Sequence, residues 1–118
     1  MEKLTNKEEQ VMLVIWMLKK AFVKEIQAEL SNEVLHYNTI STIVRNLEEK
    51  KYVSYKVYGN THQYYPLIEK EDYQQKYMMG VVQDFFNNSY KDLVSFFVKE
   101  KKLSSEELQE IINQINKE

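Results

Sequence analysis

Asn38, Ser41, Thr42 and Arg45 are the residues whose types and spacing could do chemistry in this chain. They stand at i, i+3, i+4 and i+7, so a helix would put them on one face. That face offers small hydrogen-bonding groups and one guanidinium, with no carboxylate until Glu48 and Glu49. A merely solvated helix face usually mixes Glu with Lys. Uncharged donors and acceptors plus Arg can touch base edges in a DNA major groove without repelling phosphates. A short surface helix in a helical bundle is the plainer reading of the same stretch.

Other chemistries find little support. With no cysteine in the chain, disulfides, thiolate metal sites and cysteine nucleophiles are excluded. His36 and His62 stand 26 residues apart with no other His, so no metal site is expected. Two glycines cannot build a glycine-rich phosphate loop. The acidic neighbours Glu8-Glu9, Glu48-Glu49 and Glu106-Glu107 fall on expected helix surfaces or caps, where they read as solvated charge rather than acid/base pairs. The chain is not expected to be an enzyme, and no cofactor is expected.

The 118 residues fit one domain, or a small domain with an added oligomerisation segment. The first ten residues carry no apolar signal core, and the longest apolar run, Val11–Leu18, is too short to span a bilayer. A cytoplasmic protein without membrane insertion is expected. Net charge is −2, with residues 1–66 at +1 and residues 67–118 at −3, so any DNA site must be a local patch in the first half.

Three helices are expected to carry the polar face. Thr5 with Glu8 has the spacing of a capping box, and Val11–Leu18 reads as a helix packed on several sides. Trp16 belongs to the core or to a dimer contact. Ala21–Phe22 reads as a connection, Val23–Leu30 as a second helix, and Ser31-Asn32-Glu33 as the break before the third. His36 opens that third helix, which runs from about Tyr37 to Lys50, with Ile40, Ile43, Val44 and Leu47 as its buried stripe. Tyr52–Pro66 then changes period. It is rich in Tyr and Val, is centred on Gly59-Asn60 and is closed by Pro66, as a two-stranded hairpin would be. Helix–helix–helix–hairpin is the order of a winged helix, whose third helix enters the major groove. Lys56, Tyr58, Asn60, Thr61 and His62 would then touch phosphate or sugar, while Tyr52 and Tyr64 pack within the strands with their hydroxyls at the surface.

After Pro66 the chain is helical again. Tyr73, Tyr77, Val81 and Phe85 follow at i+4 steps, and Gly80 between them would let another helix approach closely. Ser89 with Asp92 and Ser104 with Glu107 announce two further helices. These carry Leu93, Phe96 and Phe97, then Leu108, Ile111, Ile112 and Ile115. About fifty residues are too few to bury such wide apolar faces in an independent core of ordinary stability; packing against the winged helix is one solution, and pairing with a second chain is the better one. They are expected to close a homodimer. The fold class is therefore mostly α with a small β-hairpin: a winged helix-turn-helix domain over 1–66, then a three-helix dimerisation domain over 67–118.

The chain resembles the penicillinase-repressor and methicillin-resistance-repressor family of bacterial transcriptional regulators, from Leu4 to Lys117. The matching stretches are LTNKEEQVMLVIW, Val23-Lys24-Glu25-Ile26, HYNTISTIVRNLEEKKYV, YGNTHQYYPL, Phe86-Asn87-Asn88-Ser89 and LVSFFVKEKKLSSEEL. The resemblance implies a homodimeric repressor on double-stranded operator DNA. It implies DNA contacts from Tyr37, Asn38, Thr39, Ser41, Thr42 and Arg45, with Gly59, Asn60 and Thr61 in the wing. It also implies relief by a membrane-bound sensor protease that cuts in the dimerisation region. The matching bond is Phe96–Phe97, where cleaved relatives have Asn–Phe. Asn46 and Asn60 stand where the family often has Arg, which would weaken phosphate binding. The cysteine pairs of a copper-responsive branch are missing. A winged-helix protein-interaction module without sequence-specific DNA binding is the alternative.

Overall fold

The computed structural model describes residues 2–30 and 35–117. Ser31-Asn32-Glu33, the expected break, lies outside the described residues. The order is α1 (Asn6–Leu18), β1 (Ala21–Phe22), α2 (Val23–Glu29), α3 (Tyr37–Glu49), β2 (Val53–Tyr58), β3 (Thr61–Pro66), α4 (Lys70–Phe86), α5 (Tyr90–Lys99) and α6 (Ser105–Lys117). The chain divides into two compact units, Met1–Tyr73 and Gln74–Glu118.

Helix α1 starts where its cap dictates. The Glu8 amide donates to Thr5 Oγ1 at 3.2 Å, and the Thr5 amide donates to Glu8 Oε1 at 2.8 Å, which satisfies two amides the helix cannot. Val11, Met12, Val14 and Ile15 are buried, but Leu13 and Met17 are exposed, so one side of this apolar helix faces out. Half-buried Trp16 donates from Nε1 to the Ile68 carbonyl at 2.8 Å and packs against Tyr73, with ring centroids 5.5 Å apart. The expected stripe of α3 is its buried face: Ile40, Ile43, Val44 and Leu47 join Val11, Met12, Ile15 and Ile26 in one cluster. The polar positions of α3 are thereby turned outward.

Ala21–Phe22, expected as a connection, is a strand. It pairs antiparallel with β3 in a sheet ordered β1-β3-β2, with Ala21 opposite Tyr64 and Phe22 opposite Gln63. A lone hairpin is marginal in water, and this third strand together with the helices beneath stabilises it. Gly59 has φ 59° while Asn60 does not take positive φ, the φ pattern of a II′ hairpin turn. Tyr52 and Tyr64 are buried as expected. The Tyr52 hydroxyl, however, is part-buried and donates to the Glu2 carbonyl instead of standing free at the surface. Glu8 also departs from expectation. It caps its helix but is 4% exposed, and its carboxylate is paired with Lys50 rather than solvated.

In the second unit, Asn87 and Asn88 take left-handed φ of 49° and 63° and end α4. Ser89 Oγ accepts from the Asp92 amide, and Ser104 forms a full capping box with Glu107. Among the described residues of this unit only Val82 is fully buried. Nothing lies within 4 Å of the Cβ position at Gly80, so no close helix approach occurs there among the described residues.

Candidate nucleic-acid interface

The outward side of α3 is set by its opening residues and its buried stripe. His36 has extended φ and ψ of −74° and 151°, and its carbonyl accepts the Ile40 amide at 3.1 Å, which starts the helix. From there Tyr37, Asn38, Thr39, Thr42 and Arg45 are exposed and Ser41 is half-buried. Two of these side chains fold back onto the helix. Thr42 Oγ1 donates to the Asn38 carbonyl at 3.0 Å, and Arg45 Nε donates to the Ser41 carbonyl at 3.4 Å.

The wing stands beside this helix. Tyr55 and His62 stack at 4.2 Å between centroids with planes 5° apart, and Tyr64 meets both rings. Aromatic packing of this kind stiffens the hairpin along its inner face. Burial raises the Tyr64 hydroxyl above the ordinary phenol range, with nearby Glu48 adding to the rise and Arg45 opposing it. The phenol therefore stays neutral. At the tip, Thr61 Oγ1 donates to the Tyr58 carbonyl at 3.0 Å and locks the turn.

Between helix and wing lies an open cleft of about 500 Å³. Helix α3 contributes Tyr37, Ser41 and Arg45, and the wing contributes Asn60, Thr61, His62 and Tyr64. Six positions expected to contact DNA, Tyr37, Ser41, Arg45, Asn60, Thr61 and His62, thus share one cleft. Asn38, Thr39 and Thr42 lie on α3 outside it. Lys56 is exposed on β2 and Gly59 at the turn, neither of them on the cleft lining. The positions expected to close a dimer, from Tyr77 to Ile115, all lie in the second unit. The cleft also takes Phe22, Val23, Lys24 and Glu25, which sequence reasoning did not single out. Two adjacent residues of a strand have no detectable period, and Lys24 reads as ordinary helix-surface charge. Only the pairing of β1 with β3 brings them to the wing.

No metal-competent group of three or more His, Cys, Asp or Glu occurs among the described residues, and no described helix is long and apolar enough to cross a membrane.

The sequence pattern of the penicillinase repressor family matches residues 4–117. The methicillin resistance regulatory protein MecI of Staphylococcus aureus strain N315 is 29% identical over 116 residues, covering 98% of this chain and 94% of that protein. The penicillinase repressor of Bacillus licheniformis is 27% identical over 110 residues, covering 92% and 86%. The solution structure of the DNA binding domain of the repressor BlaI superposes with a TM-score of 0.54 at 30% identity, over 62% of this chain and 94% of that one.

Proposed function

The chain belongs to the penicillinase repressor family, whose members are transcriptional repressors rather than enzymes, and from that premise we propose that it is a homodimeric, sequence-specific repressor of a two-fold related operator. Residues 1–66 act as the DNA-binding domain and residues 67–118 as the dimerisation domain. The observation that carries this reading is the cleft shared by α3 and the wing, with Arg45 and the hydroxyl and amide groups of Tyr37, Ser41, Asn60 and Thr61 on it. Helix α3 lies in the major groove, where Asn38, Ser41, Thr42 and Arg45 meet base edges and Tyr37 and Thr39 support them. The wing, with Lys56, Gly59, Asn60 and Thr61, follows the adjacent backbone.

Dimerisation is supported by the apolar surface of the second unit. Phe85 is 78% exposed and Ile115 is 66% exposed, with Phe96, Phe97, Ile111 and Ile112 exposed as well. So many exposed large apolar side chains in one small unit support an interaction site there. Two-fold pairing then sets two reading helices one or more helical turns apart. Relief by a membrane-bound sensor protease would fall at Phe96–Phe97, although Phe96 stands where cleaved relatives have Asn and the residue type does not support a cut there; a small ligand or a partner protein are the other routes. Both residues lie inside α5, so that helix must unwind locally before the bond is presented.

A gel-shift titration against the DNA upstream of the protein's own coding region tests the reading. Preference over random duplex at moderate salt is expected. A stable protein complex formed without any DNA affinity would instead favour an interaction module.

A further inference from the structure

Lys24 and Arg45 are cations from two different helices on the lining of one cleft. Neither is neutralised. Lys24 has no hydrogen-bond or ion-pair partner among the described residues, and the Arg45 guanidinium makes only its long bond to the Ser41 carbonyl. Lys50, by contrast, is paired with Glu8. The cleft has one carboxylate, Glu25, and it bonds to neither cation: its Oε1 accepts the Phe22 amide at 2.9 Å. The lining thus carries a net positive charge in a chain whose net charge is −2. Around the two cations stand the hydroxyls of Tyr37 and Ser41 and the amide of Asn60, all able to donate. Phe22 supplies an apolar wall beside them. Unpaired cations, neutral donors and an apolar wall in an open groove match a sugar–phosphate strand, with donors for the phosphate oxygens and apolar surface for the deoxyribose.

We propose that this cleft seats one DNA phosphodiester between Lys24 and Arg45, making Lys24 a phosphate-binding residue of the interface. The proposal rests on the DNA-binding reading and adds helix α2 to it. Lys24 contributes affinity without sequence preference, because a phosphate carries no base information. Arg45 is shared between that phosphate and the groove.

The test uses the full chain with Lys24→Ala and Lys24→Arg, titrated against the upstream duplex and random duplex over a series of salt concentrations. Lys24→Ala is expected to lower the salt slope by about 1 and to weaken binding about fivefold near 0.15 M salt, on both duplexes alike. Lys24→Arg retains the slope. Duplexes with single neutral methylphosphonates are then scanned. In the wild-type chain several positions per half-site are expected to lose affinity when neutralised, and in Lys24→Ala the loss at one of them is expected to shrink while the others stay. A general folding defect would not remove one position's penalty selectively. Equal methylphosphonate profiles for wild type and Lys24→Ala would overturn the proposal while leaving the DNA-binding reading intact. A wild-type chain that binds neither duplex would overturn both.

Discussion

The Lys50 ammonium lies 2.7 Å from Glu8 Oε1 and ties the end of α3 to the first turn of α1. Glu8 is nearly inaccessible, and Lys50 is mostly covered, with its side chain 19% exposed. The same carboxylate accepts the Thr5 amide, so one side chain closes a helix cap and anchors the end of α3. Burial opposes ionisation of Glu8. The hydrogen bonds from Lys50 and Thr5 outweigh it and hold the carboxyl below the ordinary carboxylate range.

Acid should therefore weaken the fold through Glu8. Its folded-state pKa is depressed, so its contribution is complete above the unfolded value of about 4.5. That contribution is lost as pH falls through the folded value. Glu8→Gln keeps the shape but weakens the pair and the cap, and should cost about 1–3 kcal/mol at neutral pH. Urea melts at pH 7 and pH 4 are expected to differ less for Glu8→Gln than for the wild-type chain. An unchanged difference would show that Glu8 does not carry the effect.

Lys51 occupies a backbone position that suits glycine. Its φ is 67°, and the Tyr52 amide donates to the Leu47 carbonyl at 2.9 Å, the closing bond of a left-handed helix end. Lys51→Gly removes the Cβ strain and should stabilise the fold by about 0.5–1 kcal/mol. A lower denaturation midpoint for this variant would contradict the assignment.

Arg45 and Lys56 should separate reading from holding. Arg45→Ala is expected to cost about 1–3 kcal/mol at particular base pairs, beyond a sequence-independent loss from the phosphate it shares with Lys24. Lys56→Ala should weaken all sequences alike and reduce the salt slope by about 1. Competition against single-base variants of the bound site distinguishes them, and equal losses on every sequence for both variants would refute the division.

Much of this architecture is legible in the chain itself, because its signals are local. Gly59 announces the turn that its positive φ requires, the Ile40–Leu47 stripe announces the buried face of α3, and Thr5 with Glu8 announces the start of α1. What is not legible depends on distant partners. Glu8 reads as a cap residue, and only the fold brings Lys50 to it from 42 residues away. Strand β1 has two residues, too few for any alternation, and exists because β3 lies beside it. Lys24 joins the candidate site for the same reason.

The second unit should separate dimerisation from folding of the first. Ile111→Asp with Ile115→Asp removes four apolar side chains across a two-fold interface. At about 1.5 kcal/mol or more for each, the dimer dissociation constant should rise on the order of 10⁴-fold. Sedimentation velocity is expected to find a dimer for the wild-type chain and a monomer for the variant. Two dimers would rule out this surface as the interface.

Hydroxyl-radical footprinting of the full chain on its own upstream DNA tests the central claim most directly. The expected result is protection of two segments related by a two-fold axis, centred one or more helical turns apart, at protein concentrations that leave random duplex unprotected. Uniform protection at all positions, or none below the concentration that coats random DNA, would contradict a dimeric repressor that reads its operator through α3.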